Sequence, residues 1–165
     1  MADERAARAL MPDLPLSGGC QCGQLRYRIT EMPLTLYCCH CTECQGQASS
    51  AFGMSLRVPA QAVELQGDHA SYTRDAGKET AAEGVFCPHC GSRVVHRGRG
   101  SDSGSSVKAG SLDDTGWLRP VGHIWTDSAQ DWVKLEGLCY ARQPSDNYQA
   151  LIEAFAQQQK RPAGR

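Results

Sequence analysis

The feature that most constrains this chain is the clustering of its nine cysteines. Eight of them lie in three short groups and one stands apart: Cys20 and Cys22; Cys38, Cys39, Cys41 and Cys44; Cys87 and Cys90; and Cys139. An odd number of cysteines cannot all pair as disulfides within one chain. The N-terminal residues lack the basic start and apolar core of a secretory signal, so we expect a reducing, cytoplasmic location. Clustered cysteines in that setting indicate metal binding or redox chemistry.

The charge and the hydropathy of the 165 residues exclude two classes of partner. Seventeen basic and 18 acidic side chains give a net charge of −1. The chain therefore lacks the basic excess that is typical of proteins that bind nucleic acid or an anionic membrane. No apolar run approaches the roughly 18 residues that a membrane-spanning helix needs. We expect neither a nucleic-acid partner nor a membrane partner.

One cysteine pair has the spacing of a zinc knuckle: Cys87 and Cys90, separated by two residues and followed by a glycine. Two thiolates at this spacing reach one tetrahedral ion, and the glycine permits the tight turn. The pair supplies only two ligands, and Cys20 and Cys22, beside two glycines, are the natural second pair. The alternative is a thioredoxin-like redox pair, which the lack of a strand–helix–strand pattern around the motif disfavours.

The middle group contains a C-x-C-x-x-C spacing in Cys39, Cys41 and Cys44. Three thiolates within six residues can face one ion if a tight turn is followed by the start of a helix. Three ligands leave a fourth zinc position open, as in catalytic sites. His40 would close the site if it bound the ion, but both its neighbours are candidate ligands, so its ring is expected to point elsewhere. Pairing of the middle group with Cys20 and Cys22 remains an alternative.

Two cysteines are left outside these candidate sites. Adjacent residues rarely bind the same ion, so we expect Cys38 to be a core residue of a strand that enters through Leu36 and Tyr37. Cys139 is expected to be a core or surface residue, since free cysteines are commonly buried.

Alternating apolar and polar residues predict strands along most of the chain. Leu25, Tyr27 and Ile29 alternate with polar residues, and the segment 52–58 shows the same period of two. Shorter strands are expected at 63–65, 70–74, 85–86, 94–96, 107–109 and 121–125. The stretch 97–106 is rich in glycine and serine and predicts a mobile hairpin loop.

One long helix is predicted near the C-terminus. Residues 144–146 supply its start and N-cap, and four apolar residues share one helical face: Tyr148, Leu151, Ile152 and Phe155. We therefore predict a mainly β fold of antiparallel sheets with short helices and one C-terminal helix. The predicted domains are an N-terminal extension (1–17), a zinc-binding β domain (18–141) and a C-terminal helix with its tail (142–165). Apolar residues near the start are candidates for a homodimer contact: Leu10, Met11, Leu14 and Leu16.

Four motifs in a fixed order resemble the glutathione-dependent formaldehyde-activating enzyme family, which includes the centromere protein V type domains. They are GGCQCGQLRY from Gly18, CCHCTECQ from Cys38, FCPHCGSRV from Phe86, and GSLDD with HIW from Gly110 to Trp125. The resemblance runs from about Gly18 to Trp132. It implies an Mss4-like fold of antiparallel sheets around zinc.

The resemblance also implies a ligand set and a reaction. A structural Zn²⁺ would bind Cys20, Cys22, Cys87 and Cys90, and a second, more weakly held catalytic Zn²⁺ would bind Cys39, Cys41 and Cys44. In the family's namesake reaction, glutathione and formaldehyde combine to S-hydroxymethylglutathione. The chain is therefore expected to be a zinc-dependent carbon–sulfur lyase acting on a small-molecule thiol, glutathione, and a small aldehyde. The alternative is a non-catalytic, zinc-stabilised binding module.

Other polar and aromatic residues have weaker claims to a role in the site. His123 is expected to be structural, hydrogen-bonded at the end of a strand. Trp125 and Trp132 are expected to pack in the core rather than to line the site. Asp113 and Asp114 are expected to form an Asx-type turn.

Overall fold

The structure, a computed structural model, describes residues 11–74, 82–98 and 104–160. Within these ranges it contains eleven strands and two α-helices, which confirms the predicted mainly β class with a C-terminal helix. The chain divides into two compact units. Of the described residues, the first unit contains 11, 34–55 and 116–160, and the second contains 12–33, 56–74, 82–98 and 104–115. Neither helix in the described ranges has the length and apolar character needed to cross a membrane.

The sheet of the first unit is built from four strands. They are β3 (Thr35–Cys39), the first half of β4 (Gly53–Val58), β10 (Gly122–Ile124) and β11 (Leu138–Tyr140). Their order across the sheet is β11–β10–β3–β4. All five residues of β3 are buried, as expected for a central strand covered on both faces.

Pairing in the first unit departs from the wholly antiparallel sheets that the sequence predicted. β10 runs parallel to both β3 and β11. Its register places His123 opposite Cys38 and Ile124 opposite Cys39. Parallel neighbours need long crossover connections, and more than 80 residues separate β3 from β10 in the chain. Alternation within a single strand does not reveal such a distant partner.

The C-terminal helix, α2 (Gln149–Lys160), packs through the apolar face that the sequence predicted. Asp146 caps its start, since the carboxylate accepts hydrogen bonds from the backbone N–H groups of Tyr148 (3.2 Å) and Ala150 (3.0 Å). Leu151 and Phe155 are buried. The other helix, α1 (Thr42–Ala48), is short, and only two residues separate its start from the end of β3.

Contacts between α2 and the sheet of the first unit include a hydrogen bond and a close backbone approach. The Thr35 hydroxyl donates to the Leu151 carbonyl at 2.9 Å. At Gly122 a Cβ would lie 2.7 Å from a Leu151 methyl and 2.4 Å from the Leu138 carbonyl oxygen. Only glycine therefore fits this position of β10.

The second unit contains two groups of strands. One is an antiparallel sheet with β2 (Arg26–Ile29) between β1 (Leu16–Gly19) and β5 (Val63–Gln66). The other continues from the second half of β4 in the order β9 (Ser105–Lys108), β8 (Arg93–Gly98), β7 (Ala82–Phe86) and β6 (Ala70–Arg74). The core residues of this unit include Leu25, Tyr27, Ile29, Val85, Val94, Val95 and Val107.

Every strand predicted from alternation is present, while β1 and β11 were not predicted. Both are short, and β1 contains two glycines. In β4 the buried face changes partway: Gly53 and Ser55 are buried where the alternation predicted Met54, and Leu56 and Val58 are buried beyond them.

The loop predicted over 97–106 is shorter than expected, because β8 extends to Gly98 and β9 begins at Ser105. Residues 99–103 lie outside the described ranges, as do Leu10 and the predicted tail from 161 onward. Leu16 is buried within β1, so it does not offer an exposed dimer contact. The homodimer and the predicted domain boundaries stay predictions.

Candidate functional site

The second unit brings four cysteines together from two turns. Cys20 and Cys22 follow β1, and Cys87 and Cys90 follow β7. The Cys87 turn is closed by hydrogen bonds from Gly91 N–H to the Cys87 carbonyl (2.9 Å) and from Cys87 N–H to the Ser92 carbonyl (3.0 Å). Gly91 has φ +73°, a left-handed conformation that glycine adopts without strain.

The geometry of the four thiols fits a tetrahedral metal ion. All four Sγ atoms lie within 4.8 Å of one another. The Cys20–Cys22 and Cys22–Cys87 sulfur pairs are 3.5 and 3.7 Å apart. A tetrahedral zinc ion with Zn–S bonds of about 2.3 Å separates its sulfur ligands by about 3.8 Å. The four-cysteine cluster (Cys20, Cys22, Cys87 and Cys90) therefore has the dimensions of a closed structural site.

Hydrogen bonds spread the pKa values of these thiols apart. The Ser92 side chain and backbone lower the pKa of Cys90 to about 5. Burial opposes ionisation of Cys20, yet the Leu25 N–H and the thiols of Cys22 and Cys87 hold its pKa below the usual value. The Gln24 backbone favours the Cys22 thiolate, but burial and the other three thiols raise its pKa to about 12. Without a cation the cluster does not hold four thiolates at neutral pH.

The first unit brings three more cysteines together where β3 ends and α1 begins. Cys39 is the last residue of β3, Cys41 is the N-cap of α1, and Cys44 lies in the first turn of that helix. Their Sγ atoms lie within 4.8 Å of one another, and those of Cys39 and Cys41 are 3.5 Å apart. The Cys41 sulfur also accepts a hydrogen bond from the Cys44 N–H at 3.4 Å. This is the turn-then-helix arrangement that the spacing predicted.

The three-cysteine cluster (Cys39, Cys41 and Cys44) differs from the four-cysteine cluster in burial and in ligand number. Cys39 is buried, while Cys41 and Cys44 are partly exposed. The thiols of Cys41 and Cys44, together with burial, raise the pKa of Cys39 well above its usual value. Three thiolates this close repel one another, so a bound cation is needed to keep all of them ionised. Among the described residues, no fourth His, Cys, Asp or Glu ligand atom joins the group.

His40 lies between two of these cysteines, but its ring packs against other residues. It is fully buried, 5.3 Å from the Phe52 ring, and its Nε2 lies 2.9 Å from Nδ1 of His123. His123 Nε2 in turn accepts a hydrogen bond from the Glu136 N–H at 3.3 Å. The structure thus agrees with the expectation that the His40 ring points away and that His123 is hydrogen-bonded within the fold.

This chain of hydrogen bonds determines the tautomers of both rings. A backbone N–H only donates, so His123 Nε2 must be an unprotonated acceptor. The proton of His123 is then on Nδ1 and is donated to His40 Nε2, which leaves the His40 proton on Nδ1. Burial lowers the pKa of both histidines, which keeps both rings neutral. His40 Nδ1 is buried and has no hydrogen-bond partner among the residues that the structure describes.

Gln45 is a residue of this site that the sequence did not indicate. It follows Cys44 on α1, and its side-chain amide donates to the His40 carbonyl (2.7 Å) and to the Ser128 carbonyl (2.8 Å). Its oxygen accepts a hydrogen bond from the Gln130 amide at 3.2 Å. A glutamine beside a cysteine motif carries no spacing signal, because two of its partners, Ser128 and Gln130, lie 83 and 85 positions away in the chain.

The remaining candidate residues lie outside both clusters. Cys38 is buried in β3, and burial raises the pKa of its thiol to about 12. Cys139 is exposed on β11. Trp132, expected in the core, is 73% exposed. Asp113 forms an ion pair with Arg26 and accepts a hydrogen bond from the Ser17 hydroxyl at 2.6 Å, and the Asx turn at Asp113 and Asp114 stays a prediction.

Comparisons with known proteins place this arrangement in a family. A family model described as "Glutathione-dependent formaldehyde-activating enzyme" matches residues 15–128, more than half of the chain and a range that contains both cysteine clusters. One similar solved structure is the crystal structure of a Rhodobacter sphaeroides protein: identity is 19%, the TM-score is 0.49, and the match covers 64% of this chain and 92% of that chain. No curated protein sequence matches significantly. On the family match, the chain belongs to the glutathione-dependent formaldehyde-activating enzyme family.

Proposed function

We propose that this protein is a zinc-dependent carbon–sulfur lyase that joins a small-molecule thiol, glutathione, to formaldehyde or another small aldehyde. The observation that carries the proposal is the three-cysteine cluster, whose three sulfur atoms converge without a fourth described ligand. Membership of the family supports the choice of thiol and aldehyde. The four-cysteine cluster supplies all four ligands of a structural ion and leaves no open position.

The proposed reaction is an addition with a balanced transfer of atoms. The thiol sulfur forms a bond to the carbonyl carbon, the C=O π bond breaks, and the thiol proton ends on the new hydroxyl oxygen. Nothing is oxidised or reduced, and the reverse reaction cleaves the same carbon–sulfur bond. Cys39, Cys41 and Cys44 would hold Zn²⁺, which would favour the ionised form of a substrate thiol.

The residues around the cluster prepare and protect it. The Cys44 N–H donates a hydrogen bond to the Cys41 sulfur, which stabilises the thiolate form of Cys41. Cys39 is buried at the end of β3, which limits the access of water to one side of the cluster. The neutral His40 ring is held by His123 and leaves the fourth position to the substrate. Free thiols need a reducing compartment, so we place the reaction in the cytoplasm.

Replacement of one ligand tests the proposal directly. Cys41→Ser should remove one zinc ion per chain and abolish the formation of S-hydroxymethylglutathione, measured by NMR exchange spectroscopy, while circular dichroism stays unchanged. Cys139→Ser is the matched control, because Cys139 is an exposed cysteine outside both clusters. It should keep both zinc ions and full turnover. Unchanged turnover of Cys41→Ser would leave the non-catalytic binding module as the better account.

A further inference from the structure

We propose that the 128–137 loop (residues 128–137) forms the wall of the three-cysteine cluster that recognises the organic part of the thiol, with Trp132 as the specificity-determining residue. This inference rests on the proposed function, since it assumes a thiol at that cluster. Trp132 carries an exposed indole, and its ring nitrogen is connected through consecutive hydrogen bonds to the cysteine turn, which we define as residues 39–41 between β3 and α1.

Gln45 joins the loop to the cysteine turn. Both hydrogens of its side-chain amide are used, one on the carbonyl of His40, between Cys39 and Cys41, and one on the Ser128 carbonyl. Its oxygen accepts from Gln130. A side-chain amide has two donors and one oxygen acceptor, so Gln45 uses both donors and its oxygen and its orientation is determined. Gln45 is therefore the positioning residue that holds the start of the loop beside the cluster.

The second end of the loop is held by the buried histidines. The Glu136 N–H donates to His123, and His123 donates to the ring of His40. The loop is thus attached to the cysteine turn at both ends, once through the His40 carbonyl and once through the His40 ring. A loop attached at both ends presents the residues between them in a defined place beside the cluster.

Trp132 lies between these two attachments and is oriented toward the Gln45 end. Its indole N–H donates to the Gln130 oxygen at 2.8 Å, and the Gln130 amide donates to Gln45. The indole is nevertheless 73% exposed, and Leu135 on the same loop is 38% exposed. An oriented indole held at the surface, two hydrogen bonds from a residue next to Cys44, is not explained by packing of the core.

The chemistry of the loop indicates what the indole contacts. The charged residues of the loop have both signs, with Lys134 between Asp131 and Glu136, so the loop offers no net attraction for carboxylates. Aromatic faces bind amide planes and aliphatic chains through area and dispersion. The occupant that fits is the amide-containing body of a tripeptide thiol such as glutathione, whose sulfur lies at the three-cysteine cluster. A small thiol without a peptide part would not reach the indole.

The test compares ligands that carry the free thiol and the peptide part of glutathione together or one at a time. The zinc-loaded protein is titrated with glutathione, with S-methylglutathione, which keeps the body but has no free thiol, and with 2-mercaptoethanol, which has no peptide body. The readouts are the dissociation constant from calorimetry and the NMR shift of the Trp132 indole N–H. Trp132→Ala is compared with Tyr72→Ala, a matched aromatic control that is 61% exposed on β6.

The expected result is that both glutathione ligands shift the Trp132 indole signal and that Trp132→Ala weakens their binding about tenfold. Binding of 2-mercaptoethanol to Trp132→Ala and binding of glutathione to Tyr72→Ala should stay within about twofold of the wild type. Glutathione binding that leaves the indole signal and the Trp132→Ala affinity unchanged would overturn the inference while the proposed function stands. If neither thiol binds the zinc-loaded wild type, the proposed function fails, and the inference fails with it.

Discussion

Replacement of His123 should destabilise the first unit and disturb the three-cysteine cluster, although His123 is not a candidate ligand. His123 is a buried link in the hydrogen-bond chain from the Glu136 N–H to the His40 ring. In His123→Ala, the Glu136 N–H loses its acceptor and the buried His40 Nε2 loses its donor. The variant also leaves a cavity where the imidazole packed beside β3.

The magnitude follows from these losses. The buried His40 Nε2, left without a partner, costs about 1–3 kcal/mol, and removal of a buried ring adds about 2 kcal/mol for lost packing. The Glu136 N–H adds little, because its hydrogen bond is only part-buried and water can replace the lost acceptor. We expect the free energy of unfolding to fall by about 3–5 kcal/mol, a large share of the 5–15 kcal/mol that is usual for a domain. His123→Asn keeps a donor near the Nδ1 position, so it should lose about half as much.

The assay is urea denaturation at constant zinc concentration, followed by circular dichroism. His69→Ala is the control, because His69 is exposed and its Nδ1 lies 3.3 Å from the Gly67 carbonyl within its own loop. It should change the free energy of unfolding by less than about 0.5 kcal/mol. The reasoning is refuted if His123→Ala is no less stable than His69→Ala, or if His123→Asn and His123→Ala are equally unstable.

Three further predictions concern the pH response, the zinc knuckle and a surface ion pair. Burial lowers the pKa of His123 below its ordinary value near 6.5, so the unfolded state binds more protons at this residue than the folded state does. The free energy of unfolding, measured by urea titration, should therefore fall as the pH drops below about 6.5. This fall should be less steep in His123→Asn, which lacks the titrating ring. In Gly91→Ala, the added Cβ meets no atom of the described residues within 4 Å, but the backbone must keep φ +73°. The variant should therefore lose about 1 kcal/mol of stability and release zinc to a chelator faster. Asp113→Asn removes an exposed ion pair with Arg26 and should lower the free energy of unfolding by less than about 1 kcal/mol, measured by thermal unfolding. Arg26 holds the pKa of Asp113 below its usual value, so the difference between variant and wild type should vanish as the pH falls through that lowered pKa.

The two cysteine clusters could be predicted from the sequence because their geometry is mostly local. A C-x-x-C turn closed by glycine and a C-x-C-x-x-C turn entering a helix are set by residues that are near neighbours in the chain. The grouping of Cys20 and Cys22 with Cys87 and Cys90 is not local. The spacing alone also allowed Cys20 and Cys22 to pair with the middle group of cysteines, which the structure does not show. Their roles as zinc ligands stay predictions.

The contacts that surround the three-cysteine cluster could not be predicted, because they depend on distant pairing. His40 contacts His123 because β10 lies parallel to β3, and the two histidines are 83 positions apart in the chain. Gln45 reaches Ser128 across the same separation. A period-two pattern indicates that a strand exists and which face is buried, but it does not name the neighbouring strand. In β4 even the buried face changes partway along the strand, which a strict alternation does not predict.

The most direct test of the account is the number of zinc ions per chain, measured by native mass spectrometry with and without reduced glutathione. The account predicts two ions, one held by the four-cysteine cluster in both conditions and one at the three-cysteine cluster that gains glutathione or leaves when the thiol is added. Two ions that neither exchange nor bind glutathione would contradict the open three-thiolate site and would favour a purely structural pair of zinc ions.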